Sequence, residues 1–192
     1  MSNETDIETN IDYGPLTGLI GTWKGDKGID IAPEPDGIEN NPYYETMIFE
    51  PIADVTNAES QILTALHYRQ VVRRKSTDKV FHDETGYWMW DSRSETIMHS
   101  LTIPRAVCVL AGGKHTGSKN KDGSVTLEVS ANVDDAQWNI IQSPFMQDNA
   151  RTTAFRHHIT VGNGKLSYSE TTIVDIYGKV FEHTDDNELL LQ

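Results

Sequence analysis

Apolar and polar residues alternate in short segments along most of this chain. In one example, Val125, Leu127, Val129 and Ala131 are separated by single polar residues. Such a period of two predicts a β-strand with two chemically different faces. Glycine, asparagine, aspartate and proline, which are typical of turns, bound the segments. The predicted strands cover residues 21–31, 43–53, 61–75, 85–91, 95–103, 105–112, 124–131, 151–162 and 165–177.

The turns between these segments are short. Gly162, Asn163 and Gly164 separate two predicted strands and supply the positive φ angles of a tight hairpin. Consecutive strands with short turns leave exposed edges unless the sheet closes on itself. We therefore expect an all-β fold, a single antiparallel up-and-down barrel of about ten strands, similar to lipocalins and fatty-acid-binding proteins. A β-sandwich is the alternative.

Non-strand segments are few. GPLTGLIG places Leu16, Leu19 and Ile20 at helical spacing, which predicts one short N-terminal helix. Residues 32–41, APEPDGIENN, have the composition of a loop. We expect a flexible tail over residues 1–12 and one barrel domain over residues 13–192.

Composition narrows the classes of partner. The chain has 192 residues, 37% of them hydrophobic, and a net charge of -13. This charge disfavours nucleic acids and anionic membranes, which require clustered lysine and arginine. The N-terminus lacks the basic start and apolar run of a signal peptide, and no stretch reaches the roughly 20 apolar residues of a membrane span. A cytoplasmic location is expected, and a homodimer stays open.

Motifs for nucleophilic, phosphate or metal chemistry are missing from the sequence. Cys108, the one cysteine, has apolar neighbours and is expected to be a buried thiol. Adjacent His157 and His158 point to opposite faces of a strand, so they cannot easily share a metal ion. His67 and His99, like His115, lack ligand spacing and are interpreted as structural or surface residues.

Three segments nevertheless resemble one known family in order and spacing. They are GTWKGDKG near the start, HDETGYW in the middle and LSYSETTIVDIYGKVFEHTDDNELLL at the end. Together they resemble the nitrobindin-like haem-binding family, whose fold is similar to that of fatty-acid-binding proteins. The resemblance implies haem b in a barrel, with His183 as the axial iron ligand and His82 on the distal side. It also implies a reaction with nitric oxide and conversion of peroxynitrite to nitrate, as by a peroxynitrite isomerase.

The chain departs from the family pattern after its first motif. Family members continue with alternating glycines and a Tyr-Pro tip, whereas this chain has IDIAPEPDGIENN over residues 29–41. Such an acidic segment is expected to reshape or cover the mouth of the barrel. Trp23, Tyr87 and Phe155 are candidate wall residues of the ligand cavity.

Two other functions stay open. The barrel could be a metal-free intracellular carrier or sensor of an apolar or fatty-acid-like molecule, with an inward Arg156 pairing with a ligand carboxylate. A filled barrel that acts only through its surface is the third alternative.

Overall fold

The structure, a computed structural model, describes residues 11–192, so most of the predicted tail over residues 1–12 lies outside the described residues. A 3₁₀ helix at Gly14–Leu19 occupies the position of the predicted N-terminal helix, and a short α-helix that was not predicted, α1, covers Pro144–Asn149. No helix among residues 11–192 is long and apolar enough to span a membrane.

The strands are β1 (Gly21–Glu34), β2 (Gly37–Pro51), β3 (Val55–Asn57), β4 (Gln61–Arg74), β5 (Val80–Asp91), β6 (Thr96–Ile103), β7 (Val107–Lys114), β8 (Val125–Asn132), β9 (Ile140–Gln142), β10 (Ala150–Gly162), β11 (Lys165–Ile176) and β12 (Lys179–Leu191).

Ten of these strands form a closed antiparallel barrel. The order β2-β1-β12-β11-β10-β8-β7-β6-β5-β4 returns to its start because β2 also pairs with β4. The short strands β3 and β9 pair only with β4 and β7 and stand outside the ring. The predicted barrel is therefore confirmed, and the sandwich alternative is wrong.

Strand β12 was missing from the prediction, although the barrel cannot close without it. It pairs with β1 on one side, with Trp23 opposite Leu191, and with β11 along its whole length on the other. Its sequence, KVFEHTDDNELLL, lacks apolar alternation because the inward positions near the barrel mouth are polar. Hydrogen bonds to its neighbours, which the sequence pattern does not report, define this strand.

The prediction of a loop over residues 32–41 is also wrong. Strands β1 and β2 continue through it as an extended hairpin, with Glu34 opposite Gly37. Several of its apolar side chains face solvent, including Ile29 and Ile38, which are more than half exposed. Pairing between the two strands thus stabilises the hairpin without burial, which explains the absence of a strand-like apolar pattern.

The apolar core fills one end of the barrel beneath the 3₁₀ helix. Leu16, Leu19 and Trp23 are almost fully buried there. The indole Nε1 of Trp23 donates a hydrogen bond of 2.7 Å to the Leu19 carbonyl oxygen, which fixes the helix over this opening. The Trp23 segment thus closes one end of the barrel.

Cys108 is exposed, contrary to the expectation of a buried thiol. Val107 and Val109 point inward from β7, so the residue between them must point outward. The apolar neighbours of Cys108 in the sequence therefore led to a wrong prediction of burial.

A polar layer crosses the barrel interior above the apolar core. The buried carboxylate of Glu45 accepts hydrogen bonds from Gln70 at 2.7 Å, Asn187 at 2.6 Å and Tyr168 at 3.0 Å. Tyr43 and Tyr168 also join their hydroxyl groups at 3.0 Å. Burial raises the pKa of Glu45 to about 7, although its three donors oppose the shift.

Replacing Trp23 tests the role of the closed end of the barrel. We expect Trp23→Ala to lower the free energy of unfolding by about 3–5 kcal/mol, because it removes a buried aromatic side chain. Tyr87→Ala, at a position 43% exposed on β5, should change it by less than about 0.5 kcal/mol. Urea unfolding monitored by circular dichroism measures both values. Equal losses in the two variants would contradict this assignment of the core.

The buried Glu45 predicts a pH dependence of stability. Because its folded pKa of about 7 exceeds the usual value of 4.5, the folded state binds the extra proton in this interval, and stability falls as pH rises through it. Glu45→Gln should remove up to roughly 3 kcal/mol of this fall. Urea unfolding at pH 4.5 and 7.5 measures the difference, with exposed Glu182→Gln as the control. A parallel pH dependence in parent and Glu45→Gln proteins would show that Glu45 ionises freely in the fold.

Candidate functional site

A cavity of about 270 Å³ lies at the barrel end opposite the 3₁₀ helix. The two ends are identified by β5, because Phe81, His82 and Glu84 line the cavity whereas Trp90 lies against Gly14 of the 3₁₀ helix. The β1–β2 hairpin also contributes, since Ala32 and Pro33 line the mouth. The segment that departs from the family pattern thus belongs to the cavity wall.

The cavity has one apolar wall and one polar wall. The apolar side chains come from β6, β7, β10, β11 and α1, and they include Leu101, Ile103, Val107, Val109, Met146, Phe155, Val174 and Ile176. The polar side chains include Asp30, Gln70, His82, Glu84, Glu170, His183 and Asp185, and Arg74 and Arg105 are the cations. The arrangement suits an amphipathic ligand that contains a large apolar surface.

His183 projects from β12 into this cavity and is held by carboxylates. Its Nε2 lies 2.7 Å from Asp30 Oδ1 and 3.5 Å from Asp185 Oδ2. Burial favours the neutral imidazole, but the hydrogen bond to Asp30 and the charge of Asp185 outweigh it and raise the pKa of His183. Asp30 is itself oriented, because Asn41 Nδ2 donates to its other oxygen at 3.0 Å.

His82 stands on another wall of the cavity, within β5, which begins five residues before the predicted start at residue 85. Its Nε2 lies 3.4 Å from the fully buried carboxylate of Glu84, which also accepts a hydrogen bond from the Tyr68 hydroxyl. Burial opposes both charges, yet the pairing with His82 lowers the pKa of Glu84, and Glu84 raises that of His82. The pair therefore favours the protonated form of His82.

The two histidines come from distant parts of the ring. Strand β5 is reached from β12 by four steps through β1, β2 and β4, or by six steps the other way. His82 and His183 thus approach the cavity from different sides. This placement agrees with a ligand that lies between them.

Two further carboxylates in the cavity were not recognised in the sequence. Glu170 and Asp185 are direct cross-strand partners on β11 and β12, and both side chains line the cavity. Burial is the main reason why the pKa of Glu170 is raised well above its usual value and that of Asp185 is raised to about 6. The inward even-numbered positions of β11 could have identified Glu170, but β12 was not predicted as a strand.

The other predicted site residues divide into two groups. Phe155 lines the cavity, whereas Trp23 plugs the closed end. Tyr87 and Arg156 point outward and are exposed, so neither contributes to the cavity wall. Arg156 follows the inward-facing Phe155 on β10, and strand alternation directs it to the outer face.

Beneath the cavity, two buried histidines make no hydrogen bonds to the described residues. His99 is fully buried and stacks on Trp88 with ring centroids 4.2 Å apart, and its centroid is 5.4 Å from that of His157. Burial lowers the pKa of His99 to about 3 and that of His157 to about 4. These neutral imidazoles are therefore packed as aromatic core residues, which confirms the structural interpretation of His99.

Comparison with known proteins gives one family and one similar fold. Residues 12–190 match the family model described as the THAP4-like, haem-binding β-barrel domain. The crystal structure of Rv2717c from M. tuberculosis superposes with a TM-score of 0.67 at 24% sequence identity, over 92% of this chain and 94% of that chain. No curated protein matches the sequence. Because the family model covers nearly the whole length, the chain belongs to the THAP4-like haem-binding β-barrel domain family.

Proposed function

We propose that the cavity binds haem b without a covalent bond and that His183 is the axial ligand of its iron. The observation that carries this proposal is the position of His183, an imidazole on the wall of an open cavity in a barrel of a haem-binding family. The chain has one cysteine, and Cys108 points away from the barrel interior. Thioether attachment, which requires a C-x-x-C-H motif, is therefore unavailable.

The residues of the cavity fit this group. The apolar wall from Leu101 to Ile176 can cover a porphyrin face, while Arg74 and Arg105 can pair with the propionates. A porphyrin is larger than a cavity of about 270 Å³, so its propionate edge would remain outside the mouth. Asp30 Oδ1 lies 2.7 Å from Nε2 of His183, so iron that bound this nitrogen would displace the carboxylate from it.

The chain's own residues would support chemistry on a small anion or radical. Bound haem would supply an iron centre that binds nitric oxide and allows peroxynitrite to rearrange to nitrate, as the family resemblance implies. His82 would present a proton to the ligand, because the neighbouring Glu84 carboxylate favours the protonated imidazole. The buried side chains around Tyr68 and Glu84 would hold this donor in place.

Replacing His183 and, separately, an exposed histidine tests the assignment of the axial ligand. His183→Ala should lose the Soret band of the parent protein in a haem titration and bind haem at least about tenfold more weakly, because a metal–imidazole bond is removed. His158→Ala is the matched control, since His158 is 52% exposed on the outside of β10. Absorption spectroscopy measures both. A parent-like spectrum and affinity in His183→Ala would disprove the axial role.

A distal variant tests the proposed reaction. His82→Gln should bind haem as tightly as the parent but form nitrate from peroxynitrite at least about tenfold more slowly, since a positioned proton donor commonly contributes this much or more. Stopped-flow decay of peroxynitrite with nitrate quantification measures the rate. An unchanged rate would remove His82 from the reaction, and no rate above background in the parent would remove the activity itself.

A metal-free carrier is the second candidate, and the cations at the mouth favour it. Arg74 and Arg105 could bind a ligand carboxylate while the apolar wall covers its chain. Arg156 cannot take this role, because it lies outside the barrel. Mass spectrometry of ligand released from freshly purified protein distinguishes the candidates, since a recovered fatty acid without porphyrin would support the carrier.

A further inference from the structure

We propose that the haem-free barrel binds one divalent first-row transition metal ion between Asp30, His183 and Asp185. This inference goes beyond the proposed haem function, because it assigns a second ligand class to the cavity. It uses the imidazole that we assign to haem iron. The ion and haem therefore exclude one another.

The three side chains already present their ligand atoms to one point. One ligand atom from each lies within 4.8 Å of the other two. In a tetrahedral zinc site with bonds of about 2.0–2.1 Å, ligand atoms are roughly 3.3 Å apart. His183 Nε2 is 3.5 Å from Asp185 Oδ2, close to this spacing, and it is 2.7 Å from Asp30 Oδ1. A displacement of about half an ångström between Asp30 and His183 would bring this pair to the same spacing.

The charges around this point are unbalanced without a cation. The Asp185 carboxylate makes no hydrogen bond to the described residues and has only the 3.5 Å ionic contact with His183. Asp30 therefore places a second carboxylate on the same imidazole, at 2.7 Å. Two carboxylates share one imidazole, and a divalent cation would neutralise this excess of negative charge.

The surroundings support the ligands as known metal sites do. Asn41 donates to Asp30 Oδ2 and leaves Oδ1 directed at His183, so a neighbouring amide orients the ligand carboxylate. At the site, β1 pairs with β2 through Asp30 opposite Asn41, and β12 pairs with β11 through His183 opposite Thr172, so each ligand strand is held by a neighbour. Because the cavity is open, water can complete the coordination sphere.

The donor set selects the class of ion. One imidazole nitrogen and two carboxylate oxygens suit Zn²⁺, Fe²⁺ or Mn²⁺. Ca²⁺ requires six to eight oxygen ligands and Cu⁺ prefers sulfur, and neither set is present here. Zn²⁺ is the appropriate probe for affinity, and Co²⁺ is its coloured substitute.

Calorimetry with untagged, chelator-treated full-length protein tests the site. We expect one equivalent of Zn²⁺ to bind, and Co²⁺ to give visible absorption bands typical of a protein-bound ion. Asp185→Asn should weaken Zn²⁺ binding at least tenfold. Asp186→Asn is the matched control, because this neighbouring carboxylate is exposed on the outer face of β12. No Zn²⁺ binding by the parent, or equal affinity in the two variants, would overturn the proposal.

Haem titration of the same variants distinguishes this proposal from the haem function. Asp185→Asn should keep the Soret band while losing the ion, whereas His183→Ala should lose both ligands. Zn²⁺ binding without any Soret band would overturn only the haem proposal, and the reverse result would overturn only the metal site. Asp30→Asn provides a second ligand variant should Asp185→Asn fail to fold, and its retention of parent-like Zn²⁺ affinity would equally refute the site.

Discussion

The pairing of β2 with β4 is the contact on which the rest of this structure depends. It joins the two ends of a ten-stranded sheet into a ring, so that no strand of the ring retains a free edge. Once the ring is closed, every inward side chain faces a single shared interior. Residues separated by more than a hundred positions, such as Asp30 and His183, then meet at hydrogen-bonding distance.

Closure also explains why the two ends of the interior differ so strongly. At one end the 3₁₀ helix and Trp23 exclude water, and apolar residues fill the space. At the other end the interior remains open, and the inward positions of β5, β11 and β12 carry ionisable side chains. A buried charge is costly unless it is paired, and here histidines are the main partners of the carboxylates. Glu84 pairs with His82 and Asp30 with His183, whereas Asp185 and Glu170 are less well compensated.

Local patterns predicted the fold well because most strands have one apolar face. The alternation from Val125 to Ala131 required a strand whatever its partners were, and closure followed from the number of strands and the short turns. Strand β12 carries no such pattern, since the inward His183 and Asp185 serve the cavity and not the core. Only the family resemblance indicated His183, and its contact with Asp30 depends on a pairing between the first and last strands. The outward positions of Arg156 and Tyr87 depend on strand phase, which a one-residue difference in register reverses.

The departure from the family pattern in β1 has a physical consequence at the site. Asp30 lies in this altered segment. Its carboxylate contacts Nε2 of His183, the imidazole that we assign to haem iron. A carboxylate in this position has opposite effects on the two ligands considered. It supplies one of the three donor atoms to a small cation, but it occupies the His183 nitrogen that haem iron would bind. The barrel is therefore expected to discriminate between occupants through Asp30 more than through its apolar wall, because that wall accepts any flat or extended apolar surface.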